Sequence, residues 1–137
     1  MADMEHLLID LGTKEEYNLD INPDKIHKIG RSQKCDIQIN SRADQREEYI
    51  SRVNTLLRWR PDAKEGRGAF EIRDDSRNGT RINGEDIGGF NTSYLNKEDV
   101  ISIGYEEEPI EFKYTHKRPM SDIGEHLTMA DPVPYTE

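Results

Sequence analysis

Apolar residues along this chain fall in short clusters that alternate with polar residues and are separated by turn-forming segments. The alternation is clear where apolar residues stand two apart, as in Leu57 with Trp59 and Ile101 with Ile103. A period of two residues is typical of strands that bury one face. The clusters predict strands at His6–Asp10, Tyr17–Ile21, Ile26–Gly30, Asp36–Ile39, Thr55–Arg60, Ala69–Arg73, Thr80–Ile82, Glu85–Ile87, Val100–Ile103 and Ile110–Tyr114.

The segments between these strands have the composition of turns and polar loops. Asn83-Gly84 stands between two short predicted strands, and this dipeptide favours a tight hairpin because both turn residues adopt positive φ. Residues 61–68 predict a longer hairpin loop, and Asn40–Tyr49 predict a charged loop with at most one helical turn. Short, frequent strands without helical periods between them indicate an all-β protein, an antiparallel β-sandwich.

The length of 137 residues suits one domain. Ile outnumbers Ala by 14 to 5, which favours strands because the branched Ile side chain suits a pleated surface. The sandwich is predicted over residues 1–115. Residues 116–137 carry three Pro and few bulky apolar side chains, so they are predicted to form a flexible tail or linker, poorly ordered unless docked.

Charge and hydropathy exclude several classes of function. No apolar run approaches the roughly 18 residues of a membrane span, and the N-terminus lacks a basic secretory signal, so we expect an intracellular protein (nuclear or cytoplasmic) with no membrane partner. The net charge of −9 argues against a nucleic-acid partner. Residues 30–81 are nevertheless locally basic at +3, mostly through Arg, whose planar guanidinium fits phosphate and carboxylate oxygens.

The spacing of the residues in the sequence does not indicate a metal site or a catalytic site. Cys35 is the single cysteine, which excludes an intramolecular disulfide and a cysteine zinc site. The histidines show no ligand spacing and are predicted to be surface groups. No P-loop, zinc signature or nucleophile–base set is present. The carboxylates Asp74 and Asp75 are predicted to be solvated or turn-forming. We therefore predict no enzyme, no catalytic residue, no metal and no cofactor.

Three loop motifs follow one another in a definite order. They are Ile29-Gly30-Arg31-Ser32 at a strand end, Ile50-Ser51-Arg52-Val53-Asn54 before a strand, and Asp75-Ser76-Arg77-Asn78-Gly79-Thr80 before the Asn83-Gly84 hairpin. Leu95–Gly104 then ends in an alternating strand. In this order the sequence resembles the forkhead-associated (FHA) domain family over about residues 6–115. The family pattern runs Gly-Arg, Ser-x-x-His, Ser-x-Asn-Gly-Thr, Asn-Gly and Leu-x-x-Gly-Asp-x-Ile-x-Ile-Gly.

The resemblance implies an eleven-stranded β-sandwich, of the kind shared by FHA and SMAD domains, that binds a phosphothreonine peptide through loops at one end. By this resemblance, the residues expected to bind the phosphopeptide are first Arg31, Ser51 and Asn78, and then Arg52, Arg77 and Lys34. A guanidinium supplies charge-assisted hydrogen bonds, a hydroxyl donates to a phosphate oxygen, and an amide clamps the peptide main chain. Structural roles fall to Gly30, Asn54, Gly79 and Thr80. Each residue taken alone also suits an ordinary loop or surface position.

The sequence departs from the family pattern at three places. Asn54 stands where the family has a His that braces the binding loops, and the shorter Asn holds those loops differently. The charged loop between Ile39 and Ser51 is longer than usual. Glu98-Asp99 replaces Gly-Asp.

Two functional interpretations follow. The first is a phosphothreonine-dependent binding module in intracellular signalling, which in this family often sits beside a kinase or another signalling domain. The alternative is a scaffold of the same fold that binds an unphosphorylated protein through a sheet face. A further hypothesis concerns Thr128, which precedes Asp131 by three residues. If phosphorylated, Thr128 would bind a second copy of the domain and drive self-association through the tail.

Overall fold

The computed structural model describes residues 4–39, 51–89, 91–104, 107 and 109–118. The predicted loop Asn40–Tyr49 and the tail beyond residue 118 lie outside them. The described residues form eleven strands: β1 (Glu5–Asp10), β2 (Glu16–Leu19), β3 (Ile26–Gly30), β4 (Ile37–Gln38), β5 (Thr55–Arg60), β6 (Ala69–Asp74), β7 (Thr80–Ile82), β8 (Glu85–Asp86), β9 (Thr92–Tyr94), β10 (Val100–Ile103) and β11 (Ile110–Lys117). One short turn, α1 (Ala63–Gly66), lies between β5 and β6, and its two central residues have left-handed backbone angles.

The strands form two sheets, in the orders β2-β1-β11-β10-β7-β8 and β4-β3-β5-β6-β9. The prediction of an all-β sandwich is thereby confirmed. Pairing is antiparallel throughout the described strands except between β3 and the two-residue β4, which pair in parallel. None of the described segments forms a helix with the length and apolarity that a membrane span requires.

The core lies between the sheets and is formed by the alternating apolar residues of both. Leu57 opposes Ile72 across β5 and β6, and Ile101 opposes Phe112 across β10 and β11. All four side chains are fully buried. Alternation in the sequence therefore places one face of each central strand in the core, which is the main source of stability in such a fold.

Strand pairing also defines the two ends of the sandwich. Ile29 pairs with Thr55, and Thr55 pairs with Asp74, so the end of β3, the start of β5 and the end of β6 lie side by side. The connections from β3 to β4, from β4 to β5 and from β6 to β7 therefore emerge at one end. The β5–β6 connection, residues 61–68, emerges at the other.

Some details differ from the sequence prediction. Strand β9 was not predicted, and β11 runs to Lys117, two residues past the predicted domain boundary. His27 is not a surface group, because it is only 5% exposed and its ring packs edge-on against Phe70 at 6.0 Å. It lies two residues before Ile29 on β3 and therefore shares the core-facing side of the strand.

Candidate functional site

The first two motifs contact each other through backbone hydrogen bonds. The Arg31 N–H donates to the Ser51 carbonyl at 3.1 Å, and the Ser32 N–H donates to the Arg52 carbonyl at 3.0 Å. Gly30 makes this approach possible, because a Cβ at that position would lie 2.2 Å from the Arg52 carbonyl oxygen. The requirement for glycine here is the close contact between two backbones.

Beside this contact lies a shallow cavity of about 300 Å³, here called the basic cavity. Its described lining consists of Arg31, Ser32, Gln33, Lys34 and Arg52, of which three are cationic and none is acidic. The three cationic residues are solvent-exposed. The Lys34 N–H donates to the Ser32 hydroxyl at 3.1 Å, which shapes the turn that carries Lys34 to the cavity. Such a lining suits an anion with several oxygen acceptors.

The third motif joins the site through Ser51. The Ser51 hydroxyl oxygen accepts the backbone N–H of Arg77 at 3.1 Å, so the loops before β5 and after β6 are linked. A hydroxyl that accepts one hydrogen bond still carries its own hydrogen for donation. Arg77 and Asn78 are both exposed on the second loop. The structure thus brings Arg31, Lys34 and Arg52 to one cavity. Ser51 is connected to Arg31 through its carbonyl and to the Arg77-Asn78 loop through its hydroxyl.

Asn54 holds these loops from inside the sandwich. Its side chain is 0% exposed, and its amide oxygen accepts the Ser51 N–H at 3.1 Å. Its amide nitrogen donates to the Thr55 hydroxyl at 3.0 Å. Its backbone carbonyl accepts the Asp75 N–H at 2.9 Å. One buried residue therefore contacts both loops that flank the site.

A buried polar network continues from Asn54 into the third motif. The Thr80 hydroxyl lies 3.0 Å from that of Thr55 and donates to an Asp74 carboxylate oxygen at 3.0 Å. The same oxygen accepts the backbone N–H and the hydroxyl of Ser76, at 3.0 and 2.5 Å. The Ser76 hydroxyl oxygen accepts the Gly79 N–H at 2.7 Å. Thr80 is fully buried here and connects the loop to the core.

Two positions in this network bear on what the sequence suggested. Of the two alternatives predicted for Asp74, a solvated or a turn-forming carboxylate, the structure shows the second, because Asp74 is 1% exposed and accepts the Ser76 N–H. Gly79 adopts φ +96°, a left-handed conformation that a residue with a Cβ adopts at a cost. The sequence analysis also missed Ser32 and Gln33, which line the basic cavity. Their position between Arg31 and Lys34 was the available signal.

Cys35 borders the site but has the features of a structural residue. It is buried, and its thiol lies 3.2 Å from the Arg52 carbonyl oxygen as a weak donor. Burial raises the pKa of the Cys35 thiol, which keeps it protonated and unreactive. Within the described part of the chain, no group of His, Cys, Asp or Glu has a geometry that would hold a metal ion.

The fold and the loop constellation define a class of protein. The sequence profile of the FHA domain matches residues 27–104, more than half of the chain. The chain therefore belongs to the FHA domain family. No curated protein sequence is significantly similar to it.

Solved structures share the fold at low sequence identity. The MEK1 FHA domain matches with a TM-score of 0.64 and 20% identity, covering 85% of this chain and 91% of that one. The N-terminal FHA domain of S. cerevisiae Rad53p, solved with a phosphothreonine peptide, matches with a TM-score of 0.65 and 16% identity, covering 90% and 98%. The yeast Pml1 splicing factor matches with a TM-score of 0.65 and 22% identity, covering 85% and 80%.

Proposed function

We propose that this domain is a phosphothreonine-dependent peptide-binding module. The observation that carries the proposal is the basic cavity, where Arg31, Lys34 and Arg52 converge beside the backbone contact between Arg31 and Ser51. A phosphothreonine carries a charge of about −1.5 to −2 and three acceptor oxygens, which match this set of donors. The related Rad53p domain was solved with such a peptide, and the MEK1 FHA domain was also solved with one.

Each residue has a distinct role in this proposal. Arg31 and Arg52 supply charge-assisted hydrogen bonds to the phosphate, and Lys34 adds a third cation. The Ser51 hydroxyl donates to a phosphate oxygen while its oxygen keeps the Arg77 N–H. Asn78, on the adjoining loop, hydrogen-bonds the peptide main chain beyond the phosphothreonine.

The test is a titration of the full chain with a degenerate phosphothreonine peptide library, comparing wild type with Arg31→Ala. Losing one charge-assisted contact is expected to cost about 1.5–3 kcal/mol, a tenfold or larger weakening. Arg67→Ala is the matched control, because it removes an exposed arginine at the other end of the sandwich. Its affinity should equal that of wild type.

Unphosphorylated and phosphoserine peptides complete the experiment. Binding that needs the phosphothreonine and weakens only with Arg31→Ala supports the proposal. Binding that is indifferent to the phosphate, or equally weak in both variants, would refute it. The sheet faces would then become the place to search for an unphosphorylated protein partner.

A further inference from the structure

A second cavity, here called the distal cavity, lies at the end of the sandwich opposite the basic cavity. Its volume is about 560 Å³. The six-stranded sheet contributes His6, Tyr114 and His116, and the five-stranded sheet contributes Trp59 and Ala69. The cavity therefore opens between the two sheets. Trp59 lies four residues along β5 from Thr55, which separates it from the loop end by about 13 Å at the usual strand rise.

The floor of the distal cavity is aromatic. The ring centroid of Trp59 lies 5.0 Å from that of His6 and 5.0 Å from that of Phe70. A His6 ring nitrogen lies 2.7 Å from the Tyr114 hydroxyl oxygen, which holds both rings in place. Met4 and Ile21, each 39% exposed, extend the apolar surface and belong to the few large exposed hydrophobic residues of the described chain.

The rim of the distal cavity is cationic. Lys64, Arg67 and Lys97 line it, and none of the described lining residues is acidic. The Lys64 ammonium donates to the Leu95 carbonyl at 3.2 Å and to the Asn96 side-chain oxygen. Lys64 itself has left-handed backbone angles (φ 54°, ψ 49°), an uncommon conformation for a residue with a Cβ. This turn directs its charge toward the cavity.

We propose that the distal cavity is the docking site of the chain's own C-terminal segment, residues 119–137. The segment begins three residues after His116, which lines the cavity, and directly after Arg118. It contains four carboxylates and no Lys or Arg, which complements the cationic rim. Its apolar side chains match the aromatic floor; they are Met120, Ile123, Leu127, Met129, Val133 and Tyr135.

The covalent connection makes a weak contact sufficient. A short tether holds the segment at an effective concentration on the order of 1 mM, so an intrinsic dissociation constant of about 0.1 mM leaves roughly nine molecules in ten docked. Docking also covers Met4 and Ile21, whose exposure is otherwise unexplained. Because the distal cavity lies away from the basic cavity, this docking is independent of phosphopeptide binding.

Trp59 is the single tryptophan of the chain, so its fluorescence and its indole N–H resonance report on the distal cavity alone. The experiment uses four versions of the 137-residue chain: wild type, Ile123→Ser/Leu127→Ser, Arg67→Glu/Lys97→Glu, and the control Lys14→Glu on the exposed β1–β2 turn. The two double variants should shift Trp59 emission to longer wavelength and increase its quenching by acrylamide. Lys14→Glu should match wild type. Because the strands end at Lys117, the tail variant leaves every strand sequence intact.

Reversing the charges of both the cavity rim and the C-terminal segment tests directly whether the two contact each other. Adding Asp122→Lys/Glu125→Lys to Arg67→Glu/Lys97→Glu should restore the wild-type emission, since opposite charges again face each other. Emission and quenching that stay the same in all chains would overturn the proposal. A Trp59 signal that changes with protein concentration, together with dimers in sedimentation, would also overturn it, because the occupant would then be a second copy.

Discussion

Asn54 is the residue whose replacement most directly tests how this sandwich holds its binding loops. Asn54→Ala removes the acceptor of the Ser51 N–H and the donor to the Thr55 hydroxyl. It leaves the backbone bond from Asp75 N–H to the Asn54 carbonyl in place. The amide also donates to the Thr80 hydroxyl at 3.4 Å, so the perturbation acts on the loop before β5 and on the start of β7, whereas it leaves the backbone link to the loop after β6 intact.

The expected loss of stability follows from these contacts. An N–H left without a partner costs about 1–3 kcal/mol when it is buried, and the Ser51 N–H is only partly buried, so the lower half of that range applies. The lost hydrogen bond to Thr55 adds about 1 kcal/mol. We expect Asn54→Ala to lower the free energy of unfolding by about 2–3 kcal/mol, against a typical total of 5–15 kcal/mol.

Binding should weaken as well, because Ser51 is positioned by Asn54 and in turn positions Arg77. Urea unfolding gives the stability, and phosphopeptide titration under fully folded conditions gives the affinity. Ile101→Ala is the control, since a buried Ile→Ala change in β10 costs about 2–5 kcal/mol and lies in the core. We expect Asn54→Ala to weaken phosphopeptide binding roughly tenfold, equivalent to about 1.4 kcal/mol, and Ile101→Ala to leave it unchanged.

Asn54→Asp tests the acceptor role of this side chain separately from its donor role. It retains an oxygen for the Ser51 N–H, but it loses the amide donor and buries a carboxylate. Burial raises the pKa of such a carboxyl group, so its destabilising effect should be larger at pH 7 than at pH 5. The bracing role of Asn54 would be refuted if Asn54→Ala changed stability by less than about 0.5 kcal/mol, the range typical of surface substitutions, and left affinity unaltered.

Two further predictions concern β3. Gly30→Ala should destabilise the fold by about 1–3 kcal/mol and weaken phosphopeptide binding, because the new Cβ displaces the Arg52 carbonyl; Gly89→Ala, with open space around it, is the control in both assays. Burial lowers the pKa of His27, whose Nε2 accepts the Asp20 N–H at 2.9 Å and so resists protonation. The unfolded chain therefore binds more protons below about pH 6.5, and stability falls as the pH drops through that value. In His27→Gln, the free energy of unfolding should fall less steeply between pH 7 and pH 5 than in wild type. The difference in slope should stay below the one-proton limit of about 1.4 kcal/mol per pH unit. Equal slopes in wild type and variant would contradict this prediction.

Much of the fold was predictable because alternation reports on burial. Nine of the eleven strands have at least one buried residue, and the alternation that accompanies this burial was visible in the sequence, whereas β8 was predicted from the Asn83-Gly84 hairpin signal beside it. Strand β9 (Thr92–Tyr94) was not visible, because its residues are exposed or half-buried and carry no apolar pattern. It becomes a strand only by pairing with β6, where Tyr94 opposes Glu71. Tertiary pairing of an edge strand leaves no local signal to detect.

The candidate site likewise has a part that the sequence predicted and a part that it did not. The cationic residues of the basic cavity were predicted from motif order, whereas the buried network behind them was not. Asp74 was predicted to be solvated or turn-forming because it stands at a strand end. Its burial depends on donors that come from Ser76 and from Thr80, six residues further along the chain. Whether a buried carboxylate finds hydrogen-bond donors depends on the folded loop around it and cannot be deduced from the residue type alone.

Glu98 illustrates a departure from the family pattern that the structure accommodates. It stands where the family has Gly, and it retains the left-handed backbone with φ 73°. That conformation costs a residue with a Cβ about 1–2 kcal/mol. The Glu98 carboxylate accepts a hydrogen bond from the Thr115 hydroxyl at 2.6 Å and pairs with Lys113 at 3.2 Å, and both partners lower the pKa of Glu98. The sequence showed the substitution but not the partners on β11.

The charge distribution sets the range over which a phosphate is attracted. The whole chain carries −9, so at a distance it repels an anionic peptide, whereas the cationic lining of the basic cavity would attract the phosphate of the proposed ligand at contact. At physiological ionic strength the Debye length is about 8 Å, which screens the distant carboxylates more than the guanidinium groups in direct contact. Salt therefore weakens the unfavourable long-range term as well as the favourable short-range one. Under the proposed function, we therefore expect a site built from Arg31, Lys34 and Arg52 within an acidic domain to prefer a single, well-placed phosphate over a ligand of high overall negative charge.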